Sequence, residues 1–169
     1  MFSFTQEDCL PYNADACLMG KVMVLDPNAT GKSDIGQLFF CVNKSTLGDK
    51  SSPFLPAWSL LTGELEYLDK KRVLGILLPD RLSMDAALQL SQIRPPEPRD
   101  ESGPPALYTG YCFHPDGKYA SGVPLHGWPQ AMTYARMQAP YQYKVQVFDE
   151  DGMYVLEMVQ GKNTFIDPP

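Results

Sequence analysis

Pro95, Pro96, Pro98, Pro104 and Pro105 put five prolines into eleven consecutive positions. Neither a helix nor a sheet continues through such a run, because each proline fixes φ and removes a backbone N–H. The segment 94–106, which also holds Asp100, Glu101, Ser102 and Gly103, reads as a semi-rigid connector. It divides the 169 residues into an N-terminal unit, 1–93, and a C-terminal unit, 107–169. Units of that size bury a limited core alone, so the expectation is two small subdomains packed together rather than two independent beads.

In the first unit the apolar run Cys17 to Leu25 reads as a strand that stops at Asp26-Pro27-Asn28. Ile35 to Val42 reads as its antiparallel partner across a long loop. Leu60 to Leu65 and Val73 to Leu78 read as further strands, the second apolar throughout and therefore interior to the sheet. The period then changes. Ser83 is placed as a helix N-cap, Asp85 suits the positive end of the helix dipole, and Met84, Ala87, Leu88 and Ser91 share one face, widened by Leu90 and Ile93.

In the second unit Leu107 to Phe113 reads as a strand entering a type I turn at His114-Pro115-Asp116-Gly117, with Lys118 to Val123 returning as its partner. Gly122 to Trp128 reads as a loop. Trp128, Ala131, Met132, Ala135 and Ala139 recur at helical spacing, with Pro129 in the first turn where no N–H is needed. Tyr143 to Phe148 and Met153 to Gln160 flank Asp149-Glu150-Asp151-Gly152, a hairpin signal. Tyr143, Val145 and Val147 alternate with Lys144 and Gln146, as in a sheet with one wet face. The fold class is therefore α+β: two small subdomains, each a mainly antiparallel sheet with one covering helix, joined by the proline-rich connector.

Charge narrows the function. The net charge is −6, with 10 basic and 14 acidic residues before Ala106 and 4 and 6 from there on, so neither unit hides a basic module. A surface that tracks nucleic-acid phosphates needs concentrated positive charge, so direct nucleic-acid binding is not expected. A ladder of acids imitating DNA is no better supported, since 20 acids are offset by 14 bases. The first residues, Met1 to Asp8, carry neither a positive start nor a sustained apolar run, and the longest apolar clusters are strand-sized. The reading is a cytoplasmic protein with no membrane association. Cys9, Cys17, Cys41 and Cys112 show no paired spacing and read as thiols in a reducing compartment.

Three motifs suggest chemistry and each falls short. Asp26 to Ser33 ends in Gly31-Lys32-Ser33 as a phosphate-binding loop does, but its first glycine position holds Asp26 and a strand, not a helix, follows. Cys112 and His114 lie two apart on a strand, facing one side, and His126 or Asp116 is the nearest further ligand. Three candidates at that spacing match no specific zinc pattern. Cys112 or Cys41 beside a histidine would be a nucleophile only if base and thiol met, and the chain has two histidines. The pairs Glu64/Glu66 and Asp149/Asp151 read as solvated edge and turn residues. No cofactor and no metal are expected.

Eleven of the nineteen aromatic residues lie in the second unit. Tyrosine offers broad apolar area with a polar tip, the chemistry of recognition surfaces as well as of small cores. The leading expectation is thus a non-catalytic interaction module, accessory or regulatory, that binds another protein or its own copy through Tyr108, Tyr111, Tyr119, Trp128 and Tyr134. The alternative is a small enzyme or ligand binder with a pocket between the subdomains, built on Cys112, His114 and His126.

Overall fold

A computed structural model describes residues 4–11, 13–26, 35–49, 51–96 and 106–168. Two compact units divide between Gln89 and Leu90. Of the expected connector only Arg94, Pro95, Pro96 and Ala106 are described. The phosphate-loop segment lies outside the described residues except for Asp26.

The first unit is built on a six-stranded antiparallel sheet. Its strands are β1 (Cys9–Leu10), β2 (Lys21–Leu25), β3 (Leu38–Cys41), β4 (Phe54–Ser59), β5 (Leu65–Asp69) and β6 (Val73–Leu77), in the order β1-β6-β2-β3-β4-β5. The expected β2–β3 hairpin is present, with Lys21 opposite Cys41 and Val24 opposite Leu38. Both strands are shorter than their apolar runs. Gly20, at φ 75°, turns the chain just before β2, and Ile35–Gln37 is a 3-10 turn because the fully buried Gln37 uses its amide to bond Phe4 and the Leu25 carbonyl.

The strand expected over Leu60–Leu65 is a correction: Leu60 to Glu64 is the turn between β4 and β5. Ser59 Oγ accepts from the N–H groups of Leu61 and Thr62, and Gly63 sits at φ 74°. The strand that precedes it carries Pro56 and so escapes sequence patterns. Its pairing explains the tolerance. Ser59 N donates toward β5, to the Glu64 carbonyl, so the N–H that Pro56 lacks would point toward β3, whose ladder reaches only Trp58 and Ser59.

Helix α1 (Met84–Ser91) is capped by Ser83, whose Oγ accepts from Ala86 N at 3.2 Å. Its buried face is Ala86, Ala87, Leu90 and Ser91, whereas Met84 is 47% exposed, so the apolar stripe is rotated from the expected one.

The second unit packs helix α2 (Trp128–Gln138) on one face of a five-stranded antiparallel sheet. The strands are β7 (Leu107–Phe113), β8 (Val123–His126), β9 (Lys144–Phe148), β10 (Tyr154–Val159) and β11 (Lys162–Ile166), ordered β11-β10-β9-β7-β8. The turn at His114–Gly117 closes with Gly117 N on the His114 carbonyl. The main partner of β7 on this side is β8, inside the segment expected to be a loop; of the expected return strand Lys118–Val123, only Tyr119, bridged to Phe113, and Val123, opposite Gly110, pair with β7. Gly122 passes close to the side chains of β7: a Cβ on it would lie 2.6 Å from Thr109 Cγ2 and 2.9 Å from the Tyr111 hydroxyl. β11 follows a two-residue turn, Gln160-Gly161, both at positive φ, the geometry that matches strand twist.

The core of this unit holds Tyr108, Cys112, Leu125, Val145, Val147 and Leu156 from the sheet against Ala131, Tyr134 and Ala135 of α2. Gly110 brings the two layers together, since a Cβ there would meet the Tyr134 ring at 2.5 Å. Among the described residues no helix is long and apolar enough to cross a membrane.

Candidate functional site

Strand parity decides which aromatics meet solvent. Along β7, Tyr108, Gly110 and Cys112 are buried under α2, so Thr109, Tyr111 and Phe113 occupy the opposite face. Directly paired residues share a face, and the register then sets three rows across the sheet. Thr109, Phe148 and Tyr154 form the first; Tyr111, Gln146, Glu157 and Phe165 the second; Phe113, Lys144, Val159 and Lys162 the third.

The rings on this open face touch one another. Tyr111 meets Phe148 edge-on at 5.5 Å and Tyr119 at 6.1 Å, Phe113 lies 5.2 Å from Tyr119, and Phe148 continues through Tyr154 to Phe165. Such edge contacts add about 0.5–1.5 kcal/mol each beyond area burial. Tyr119 is 60%, Tyr154 45% and Phe165 41% exposed. A groove of about 490 Å3 runs over Thr109, Tyr111, Phe113, Tyr119 and Phe148 to Asp149, Glu150 and Gly152.

Charge on the face is polarised along the strands. Lys144 and Lys162 stand in the third row, with Lys144 Nζ 4.5 Å from the centre of the Phe113 ring, a cation–π contact. Past the first row lies the Asp149-Glu150-Asp151 turn, pinned by Asp149 Oδ1, which accepts from Asp151 N and Met153 N, and by Glu150, which accepts from Leu107 N. Glu157, mid-face, accepts from Gln146 Nε2 and the Thr164 hydroxyl, both at 2.7 Å, and these bonds hold its carboxyl below the usual range.

The five aromatics expected at a partner surface fall in different places. Tyr111 and Tyr119 are on the open face. Tyr108 and Tyr134, 5% and 1% exposed, are in the core, and Trp128 is partly buried edge-on to Tyr108 at 5.8 Å. Tyr108 and Tyr111 are three apart in one strand and so must face opposite ways. Phe113, Phe148, Tyr154, Phe165 and the two lysines were not singled out in the sequence; the alternation around the helix-facing Val145 and Val147 was the signal for Phe148 and Lys144, and β11 left none. In the first unit Phe54 and Tyr67 are also exposed, at 52% and 71%, beside a depression of about 460 Å3, without a comparable chain of ring contacts among the described residues.

Cys112, His114 and His126 do not converge. His126 is opposite Leu107, at the start of β7, whereas Cys112 and His114 lie at its far end; seven residues at about 3.3 Å each separate the two histidines by roughly 23 Å along the strand. Cys112 Sγ lies 3.2 Å from the Tyr134 hydroxyl, which donates to the Ser91 carbonyl at 2.7 Å. Burial pushes the Cys112 thiol up to about 12, so it holds no thiolate near neutral pH. His114 is 5% exposed and its Nε2 has no hydrogen-bond partner among the described residues. Among those residues no group of three or more His, Cys, Asp or Glu side chains is placed to hold a metal ion.

No family model, no curated protein and no solved structure matches this chain.

Proposed function

We propose that this chain is a non-catalytic interaction module, accessory or regulatory in role, that binds a protein through the open face of its second sheet. The observation that carries the reading is the continuous chain of ring contacts from Phe113 through Tyr119, Tyr111, Phe148 and Tyr154 to Phe165, on a face that α2 does not cover. Aromatic area of this kind, with charge at its edges, is the composition of an interface core and rim. The acidity of the chain supports a protein rather than nucleic acid as partner, and its thiols suit a reducing cytoplasm.

The test is capture on the immobilised full chain. Partners held by the wild type are lost from Tyr119→Ala and Tyr111→Ala variants whose melting temperatures show them folded, and are retained by Arg136→Ala, on the exposed side of α2. Equal capture by all four proteins contradicts the reading.

A further inference from the structure

We infer that the partner on this face is a second copy of the same chain, packed face to face about a two-fold axis lying in the interface along the middle row of the sheet. The inference rests on the function proposed above and specifies its partner. Charge complementarity selects this partner. Lys144 and Lys162 mark one end of the aromatic face, and the Asp149-Glu150-Asp151 turn closes the other, with Asp149 and Glu150 lining the groove. A two-fold axis makes an interface meet itself, so the patch must be self-complementary. An axis parallel to the strands would lay acids on acids and lysines on lysines. An axis across the strands, along Tyr111, Gln146, Glu157 and Phe165, lays each lysine end over the acidic end of the other copy. It also places Lys144, which already packs on a ring in its own chain, near Phe148 and Tyr154 of the second copy. Glu157 lies on that axis, so the carboxylates of the two copies face each other there, a like-charge contact that lowers the affinity of the pair.

Size sets the strength. Four strands about 4.8 Å apart and five residues rising about 3.3 Å each give a face roughly 14 Å by 17 Å. That is well below the ~800 Å2 per partner of a standard interface. The dimer is therefore a weak one, with dissociation in the micromolar range or above, and its equilibrium responds to salt.

Light scattering on the full chain during gel filtration at low salt, from about 10 to about 500 µM, reads this directly. The mass of the wild type rises with concentration from 18.9 kDa toward twice that value. Lys144→Glu and Glu150→Lys each raise the dissociation constant at least about tenfold, because symmetry repeats every reversed contact. An equimolar mixture of the two recovers the wild-type mass, since every end-to-end contact is again between opposite charges. Should either variant fail to fold, Lys162→Glu and Asp151→Lys replace the pair. A wild type that stays monomeric throughout overturns the inference while leaving the capture experiment above to judge the interaction face itself. Dimers that persist in both single variants, or a mixture that does not recover, place self-association elsewhere and overturn it equally.

Discussion

Cys112 and Tyr134 show how burial turns reactive groups into structural ones. The thiol and the phenol meet at 3.2 Å in the core of the second unit, and burial raises both pKa values, the thiol to about 12. A group whose folded pKa lies above its unfolded value contributes stability that is complete below the unfolded pKa and is lost as pH rises toward the folded one. For Cys112 the window runs from the ordinary thiol value of 9.0 up to about 12. The urea midpoint should accordingly fall as pH is raised above about 9. Cys112→Ala should make that decline shallower without abolishing it, because Tyr134 titrates in the same direction. An unchanged slope in the variant would show that the thiol is not held in this environment. The readout is the slope, so any loss from the cavity left by the sulfur does not confuse it.

At the scale of elements, helix α2 does more than cover a sheet. Gln130, Tyr134 and Gln138, at i, i+4 and i+8, form a buried polar stripe whose side chains bond the carbonyls of Pro95, Ser91 and Leu90, the segment that opens the second unit. Ser91 ends α1, so part of its unpaired C-terminal carbonyl set is satisfied by side chains. Gln138→Ala leaves the Leu90 carbonyl with only the Ile93 N–H and removes a fully buried amide, and a loss of about 1–3 kcal/mol in urea unfolding is expected. Arg136→Ala, exposed on the same helix, should stay within about 0.5 kcal/mol of wild type. Equal effects would mean that the stripe is not holding that segment.

The stripe was not legible in the sequence because glutamines at helical spacing read as a wet face until something buries them. β7, the turn after it, α2 and the hairpin at Asp149–Gly152 were legible, since apolar period and turn chemistry agree there. β4 was hidden by Pro56, which only the short ladder to β3 makes tolerable. β8 was hidden by Pro124 and its flanking glycines, and β11 by a turn that uses Gln160 where Asn or Asp usually signals.

At the scale of the whole molecule the described residues form the α+β class that the alternating patterns imply, two antiparallel sheets of six and five strands with two α-helices among those residues. Aromatic bias pointed to the right half of the chain for an exposed ring surface, yet composition alone could not sort Tyr111 and Tyr119 from the core residues Tyr108 and Tyr134. Strand parity does that, and parity needs a register. The remaining surface contributors come from β9, β10 and β11, strands that meet β7 only through the sheet, so no local pattern joins them. Two functional hypotheses thereby separate on geometry: the Cys112, His114 and His126 set is spread along a strand, whereas the ring set is contiguous.

If the proposed function holds, the open face of the second sheet is where this molecule is contacted. Amide and aromatic NMR spectra of the full chain, recorded as its concentration is raised or as a captured partner is added, test it most directly. Shifts are expected to concentrate on Phe113, Tyr119, Lys144, Phe148, Tyr154 and Phe165, with the exposed side of α2 around Arg136 unmoved. Shifts centred on α2 or on the first unit, with the ring set silent, would contradict it.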